Sequence, residues 1–337
     1  MAKLSLGRGP SRRLPAGASA VGIYMKNANP RSITGSAALA ALLVLSFGPQ
    51  LCQLARRALD RDLYSHILLV PFISAYLIWL KRRDLALGSE KARRWALIPL
   101  FLGAGLLAGY WWAARSGWKP KPDDYLALMT LSFLLFLWGG GFLFLGVETL
   151  RRVAFPAAFL IFMVPFPVLV QQGIETFLRD GSVAAAHLLF RAAGTPVLRQ
   201  GAEFLLPGFA LEVGPQCSGI HSSLVLFITS WLAGYLFLKS PWRRAALVLA
   251  VIPLALARNG LRIFTIGELC VHVSPDMIRS PIHHHGGPLF FALSLIPFFL
   301  LLCLLRRSGT KRQPGGKPAA ETLGEVSREV SLPSPDS

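Results

Sequence analysis

Apolar residues come in long unbroken runs along this chain, separated by short stretches where basic side chains cluster. Crossing a hydrocarbon core of about 30 Å takes roughly 20 apolar residues as a helix. Runs of that kind fall near residues 36–55, 63–80, 96–114, 125–147, 153–171, 219–238, 245–268 and 288–305. They are continuous and do not alternate, so they predict helices, which satisfy their own backbone groups in lipid. The expected fold is an all-α integral membrane protein of about eight transmembrane helices, one for each run. Pro156, Pro165 and Pro167 interrupt the fifth run, for which a re-entrant segment is the alternative to a span.

Composition agrees. The 337 residues are 53% hydrophobic and only 15% charged, whereas soluble domains carry about 25% charged residues. A net charge of +18 suggests nucleic acid in a soluble protein, but here the basic residues sit between apolar runs, so no nucleic-acid partner is expected. With a cytoplasmic N-terminus, one side collects 21 Lys and Arg and the opposite side 10. The positive-inside rule then places both termini in the cytoplasm. The Gly-, Pro- and Ser-rich tails, 1–34 and 308–337, read as disordered and flank a membrane domain over 35–307. The basic stretch to Arg31 reads as part of the first tail, not as a cleavable signal peptide.

The longest outer loop, 171–218, has structure of its own. Ile174, Phe177, Leu178, Val183, Leu188 and Leu189 recur at helical spacing, which predicts an amphipathic interfacial helix over 172–193. Pro207-Gly208, between the short apolar stretches of 202–213, reads as the turn of a small β-hairpin.

Three polar features stand where membrane surroundings make them costly. Cys217-Ser218-Gly219-Ile220-His221 lies at the outer mouth of the sixth span, Arg258-Asn259-Gly260-Leu261-Arg262 inside the seventh, and His283-His284-His285-Gly286-Gly287 just before the eighth. An arginine in a span costs about 2.5–3.5 kcal/mol on insertion scales and marks a functional position by default. Arg258 and Arg262 are four residues apart and share a helix face, so they want an anion or an oxygen-rich partner. Cys52 and Cys303 sit within apolar runs and read as small hydrophobes. Cys217 stands at a loop-to-helix junction, where amide groups and a nearby cation are expected to lower a thiol pKa and make it nucleophilic. Cys270 is the other thiol on that side, and a disulfide between the two is the lesser reading. Adjacent histidines cannot all face one ion and no His-Glu-x-x-His motif occurs, so no metal and no cofactor are expected. A histidine serving Cys217 as base and acid is the simpler use.

These motifs, in this order, resemble the exosortase/archaeosortase family: Cys217-Ser218-Gly219-Ile220, Asn259-Gly260-Leu261-Arg262 and His283-x-x-Gly286-Gly287. Tyr64-Ser65-His66, Phe155-Pro156 and Met163-Val164-Pro165 are also similar to it, and the resemblance covers residues 50–305. It implies a membrane-embedded cysteine peptidase or transpeptidase with Cys217, Arg262 and His283 as the catalytic set. Arg258, Asn259, Ser218, His221 and His284 are supporting candidates, His221 lying one helical turn after the cysteine. The implied partners are membrane lipids and exported proteins ending in a short motif such as Pro-Glu-Pro, a transmembrane helix and a basic tail. The implied location is the cytoplasmic membrane, with the site on its outer face. Gln216 stands where that family often has Glu, and His221 where Arg is common. The reading from another class is a transporter or channel-like protein whose arginines and histidines line an anion path.

Overall fold

The computed structural model describes residues 30–82, 93–274, 276–277 and 286–310. Of the tails expected to be disordered over 1–34 and 308–337, residues 30–34 and 308–310 instead belong to the first and last helices; the rest of both tails, and the run His283-His284-His285, lie outside the described residues. The chain divides into two compact units, Met1–Gln171 and Gln172–Ser337.

In the first unit the described elements are α1 (Pro30–Ser46), α2 (Gly48–Asp60), a 3-10 stretch (Asp62–Leu68), α3 (Val70–Lys81), α4 (Arg93–Arg115), α5 (Pro122–Phe144), α6 (Gly146–Arg152) and α7 (Ala154–Phe159), which runs on as a 3-10 turn over Leu160–Met163. Helix α5 is the centre of this unit: 56% of its spanning window is buried, against 17% for α4. Leu43 and Phe47 pack with Met129, Phe133 and Leu134 of α5, and Leu54, Ala58, Tyr64 and Ile67 gather around its Leu126. Helix α4 instead exposes Trp95, Phe101, Trp111 and Trp112, as a lipid-facing helix should. At the start of α5, buried Asp123 pairs with Arg57 Nε at 2.5 Å and with Arg61 Nη1 at 3.5 Å. Asp124 accepts the Val168 N–H at 2.7 Å.

In the second unit, α8 (Val168–Ala193, begun in the first) leads to a sheet of β1 (Leu198–Gln200), β2 (Glu203–Leu206) and β3 (Phe209–Glu212), ordered β1-β2-β3 and antiparallel throughout. A 3-10 turn (Pro215–Cys217) then opens onto α9 (Ile220–Phe237), followed by α10 (Pro241–His272) and α11 (Gly287–Thr310). Leu226 and Ala233 of α9, Leu247 and Val251 of α10, and Phe298 and Leu302 of α11 form one core. Val183, Ala186 and Phe190 of α8 form a second with Phe204, Leu206 and Leu211 of the sheet, Val213 just after it, and Ile263 of α10. Helices α8 and α10 touch at Gly260, where a Cβ would lie 2.6 Å from that of Ala185.

Among the described residues, six helical segments are long and apolar enough to cross a membrane, and up to eight if each of two bent pairs counts as one span. Both bends fall where the sequence carries proline. The first run breaks before Gly48-Pro49, with 69° between its halves. The fifth breaks by 90° after Met163, where Pro165 and Pro167 end one helix and α8 begins at Val168. Ala154–Met163 alone reaches only about 15 Å at 1.5 Å per residue, half of a hydrocarbon core. The amphipathic helix expected over 172–193 is thus the continuation of the bent fifth element. Its partner sheet contains the expected hairpin, turned at Pro207-Gly208 with Leu206 opposite Phe209, and adds the unforeseen strand β1.

Candidate active site

Cys217 ends the 3-10 turn of Pro215–Cys217, which leads into α9, and Arg258 and Asn259 of α10 reach this junction. Gly219, the residue before the helix, has φ +68, a conformation that a side chain disfavours. This left-handed kink lies between the 3-10 turn and the helix, and Cys217 just before it packs against the core of α8, the sheet and α10. A side chain here would also be crowded: a Cβ would stand 3.1 Å from both Arg258 Nη2 and Asn259 Oδ1, so these groups would have to give way by a few tenths of an ångström.

Two neighbouring residues of α10 brace this junction. Asn259, buried, donates from Nδ2 to the Cys217 carbonyl at 2.7 Å. Arg258, also buried, directs Nη2 to the Gly219 carbonyl at 3.3 Å and to Ser223 Oγ at 3.2 Å. The Ser223 hydroxyl passes its own hydrogen to the same Gly219 carbonyl at 2.8 Å. Arg258 therefore has the oxygen-rich surroundings that a charge within a span requires. Ser223 was not foreseen from the sequence; the signal available was a hydroxyl one turn after the glycine, the position from which serine reaches back to a helix's first carbonyl.

Cys217 carries a free thiol, half-buried, and is not bonded to Cys270. Its N–H donates to the Gly214 carbonyl at 2.9 Å, and Ser218 N–H donates to that of Pro215 at 3.1 Å. The Ser218 side chain is buried. Arg262, half-buried and one turn along α10 from Arg258, acts electrostatically on the thiol. The expectation of a lowered thiol pKa is corrected here. Burial pushes the Cys217 thiol up, and the Arg262 charge and a backbone hydrogen bond at Gly214 offset that only in part. His221 is the second residue of α9 and half-buried. His283 and His284 lie outside the described residues.

A second polar group sits near the end of α10. Thr195 Oγ1 donates to Glu268 Oε1 at 2.5 Å, and His272 Nε2 lies 3.0 Å from Glu268 Oε2. The carboxylate thereby ties the loop between α8 and β1 to α10. Among the described residues, no three His, Cys, Asp or Glu side chains gather as a metal site.

In the first unit, Tyr64 is buried and its hydroxyl donates to Gln171 Oε1 at 3.2 Å. The Pro156 carbonyl accepts from Ser74 Oγ at 3.0 Å, which joins α3 to α7. These motif residues hold helices together inside their own unit.

Neither a curated protein nor a solved structure matches the chain. A family model does, described as transmembrane exosortase (Exosortase_EpsH), and its match runs over residues 58–300. That stretch takes in the bent fifth element, the sheet, the Cys217 junction and the whole of α10. Spanning helices and this match agree, and the chain belongs to the transmembrane exosortase family, a family of membrane protein-sorting peptidases.

Proposed function

We propose that this chain is a thiol peptidase or transpeptidase that cleaves C-terminal sorting signals of exported proteins at the outer face of the cytoplasmic membrane. The observation that carries the reading is the Cys217 junction: a free thiol on a turn braced from α10, within the field of Arg262. The excess of basic residues on the opposite side supports the outer-face assignment. The substrates are proteins bearing a short motif of the Pro-Glu-Pro kind, a transmembrane helix and a basic tail, presented from within the lipid.

Burial keeps the resting thiol protonated, so the reaction needs a base. His283 takes the Cys217 proton, with His221 as the described second choice. The sulfur attacks the scissile carbonyl carbon, and Arg262 stabilises the oxyanion. The tetrahedral intermediate collapses, the C–N bond breaks, and the histidine returns its proton to the leaving amine. A thioester on Cys217 remains. Water or an acceptor amine attacks it, giving up a proton to the histidine, which then reprotonates the departing sulfur. Loss of the oxyanion donor lowers the rate about 10²–10³-fold. Arg258 and Asn259 act as positioning residues through the backbone of Cys217 and Gly219.

The test is made in the native host with Cys217→Ala, Arg262→Ala and His283→Ala, blotting membrane and secreted proteins for uncleaved C-terminal signals. The reading expects the same precursors to accumulate in all three at normal expression. Full processing in Cys217→Ala cells refutes it and favours an anion path.

A further inference from the structure

Among the described residues, the strand that leads into the nucleophile has an edge that no other strand pairs. In the β2–β3 ladder, Val213 N–H donates to the Ala202 carbonyl at 2.9 Å. Antiparallel ladders alternate, so Phe209, Leu211 and Val213 turn their backbone groups toward β2. Ala210 and Glu212 turn theirs outward. Both residues are exposed, and among the described residues β3 ends the sheet with no strand beyond it. Such an edge is a template for another extended chain.

This edge belongs to the same packed body as the thiol. Leu211 and Val213 are buried in the core formed with α8 and α10, and Cys217 packs against that core. Cys217 follows Glu212 by five residues, a reach of at most about 17 Å in extended chain. The thiol therefore lies no farther than that from Glu212, within reach of a peptide that runs along β3 and continues past its end. Glu203 and Glu212 lie opposite each other on the face away from the core. Like charges directly opposite destabilise a sheet, which a basic or amide side chain on an added strand would relieve. A second copy of β3 would bring another carboxylate, so the charge pattern argues against self-pairing.

We propose that the substrate's extended segment beside the scissile bond adds as a fourth strand to the free edge of β3, hydrogen-bonding the backbone of Ala210 and Glu212. This rests on the peptidase reading above. The added strand fixes the carbonyl over Cys217 through main-chain bonds, so sequence selectivity on this side is loose except opposite Glu212, where a basic or amide residue is preferred.

Two measurements test it with the full-length chain in its host. In a Cys217→Ala background, a photo-crosslinking benzophenone residue is placed at position 210, and the probe is the precursor that accumulates in those cells. An adduct with the precursor is expected. No adduct, or an adduct only with a second copy of the chain, overturns the proposal. Separately, Ala210→Pro and Glu212→Pro remove N–H groups that the ladder does not use, a substitution edge strands tolerate. Each is expected to slow processing about 5–10-fold in pulse-chase, the effect of one lost hydrogen bond. The rate of iodoacetamide labelling at Cys217, read by mass, stays at the wild-type value if the junction is intact. Wild-type processing in both proline variants overturns the proposal while leaving the peptidase reading standing. That reading fails on a different result, namely processing without Cys217.

Discussion

Replacing Gly219 by alanine isolates the geometry on which the Cys217 junction depends. Two costs add. Holding alanine in the left-handed region costs about 1–2 kcal/mol. The new Cβ would also stand 3.1 Å from Arg258 Nη2 and from Asn259 Oδ1 and 3.2 Å from Asn259 Cγ, so Asn259 must give way by a few tenths of an ångström, which pulls at its bond to the Cys217 carbonyl. A shift that breaks this part-buried hydrogen bond costs about a further 1 kcal/mol. The total is about 2–3 kcal/mol, measured as unfolding of the purified protein in detergent micelles. Gly208→Ala is the reference, because Gly208 has φ +85 but a Cβ there meets nothing within 4 Å. It carries the backbone cost alone. Gly219→Ala should therefore be the more destabilised by about 1 kcal/mol, the share of the lost bond. Its Cys217 should also label with iodoacetamide at an altered rate, while Gly208→Ala labels normally. Equal destabilisation with unchanged labelling of Cys217 would show that the α10 brace does not hold the junction.

Three further outcomes follow from the same contacts. Arg262→Gln removes the charge that partly offsets burial at Cys217, so its thiol titrates higher still; labelling-rate profiles should shift to higher pH, and an unshifted profile contradicts the assignment. Asn259→Asp exchanges the donor at the Cys217 carbonyl for an acceptor and adds a negative charge, and should slow Cys217 labelling at neutral pH more than Asn259→Ala does. Thr195→Val leaves Glu268 without its hydroxyl partner and should destabilise the second unit by about 1–3 kcal/mol in micelle unfolding; no change would mean the loop is not held there.

Much of the frame was legible because lipid imposes a simple rule on sequence. Runs such as 125–147 and 288–305 have no polar alternative to a spanning helix, and α5 and α11 lie there. The hairpin was legible from Pro207-Gly208, since that pair selects a tight turn whatever surrounds it. The bends were less so. Gly48-Pro49 and the Pro165/Pro167 pair mark a break, but hydropathy does not register a change of direction. Strand β1 escaped because Leu198-Arg199-Gln200 is too short to show alternation and owes its form to pairing with β2. At the site, the residue types announced themselves through the cost of charge in a membrane, whereas their division of labour did not. Arg258 and Asn259 are adjacent in sequence yet reach two different carbonyls, of Gly219 and Cys217, about 40 residues away, a matter of tertiary packing. The sign of the Cys217 shift likewise depends on how deeply the turn is buried beside α8, the sheet and α10, which no local pattern encodes.

The central claim is that Cys217 becomes covalently linked to the polypeptide it cleaves. The most direct measurement is the mass of the Cys217-containing peptide after the membrane-reconstituted protein meets the precursor that accumulates in Cys217→Ala cells, with acid quenching and a hydroxylamine-treated half. The account predicts a substrate-derived acyl group on Cys217 that hydroxylamine removes, and its absence when Cys217 is alanine. Precursor cleavage that proceeds at full rate with Cys217 unmodified, or in its absence, would contradict it.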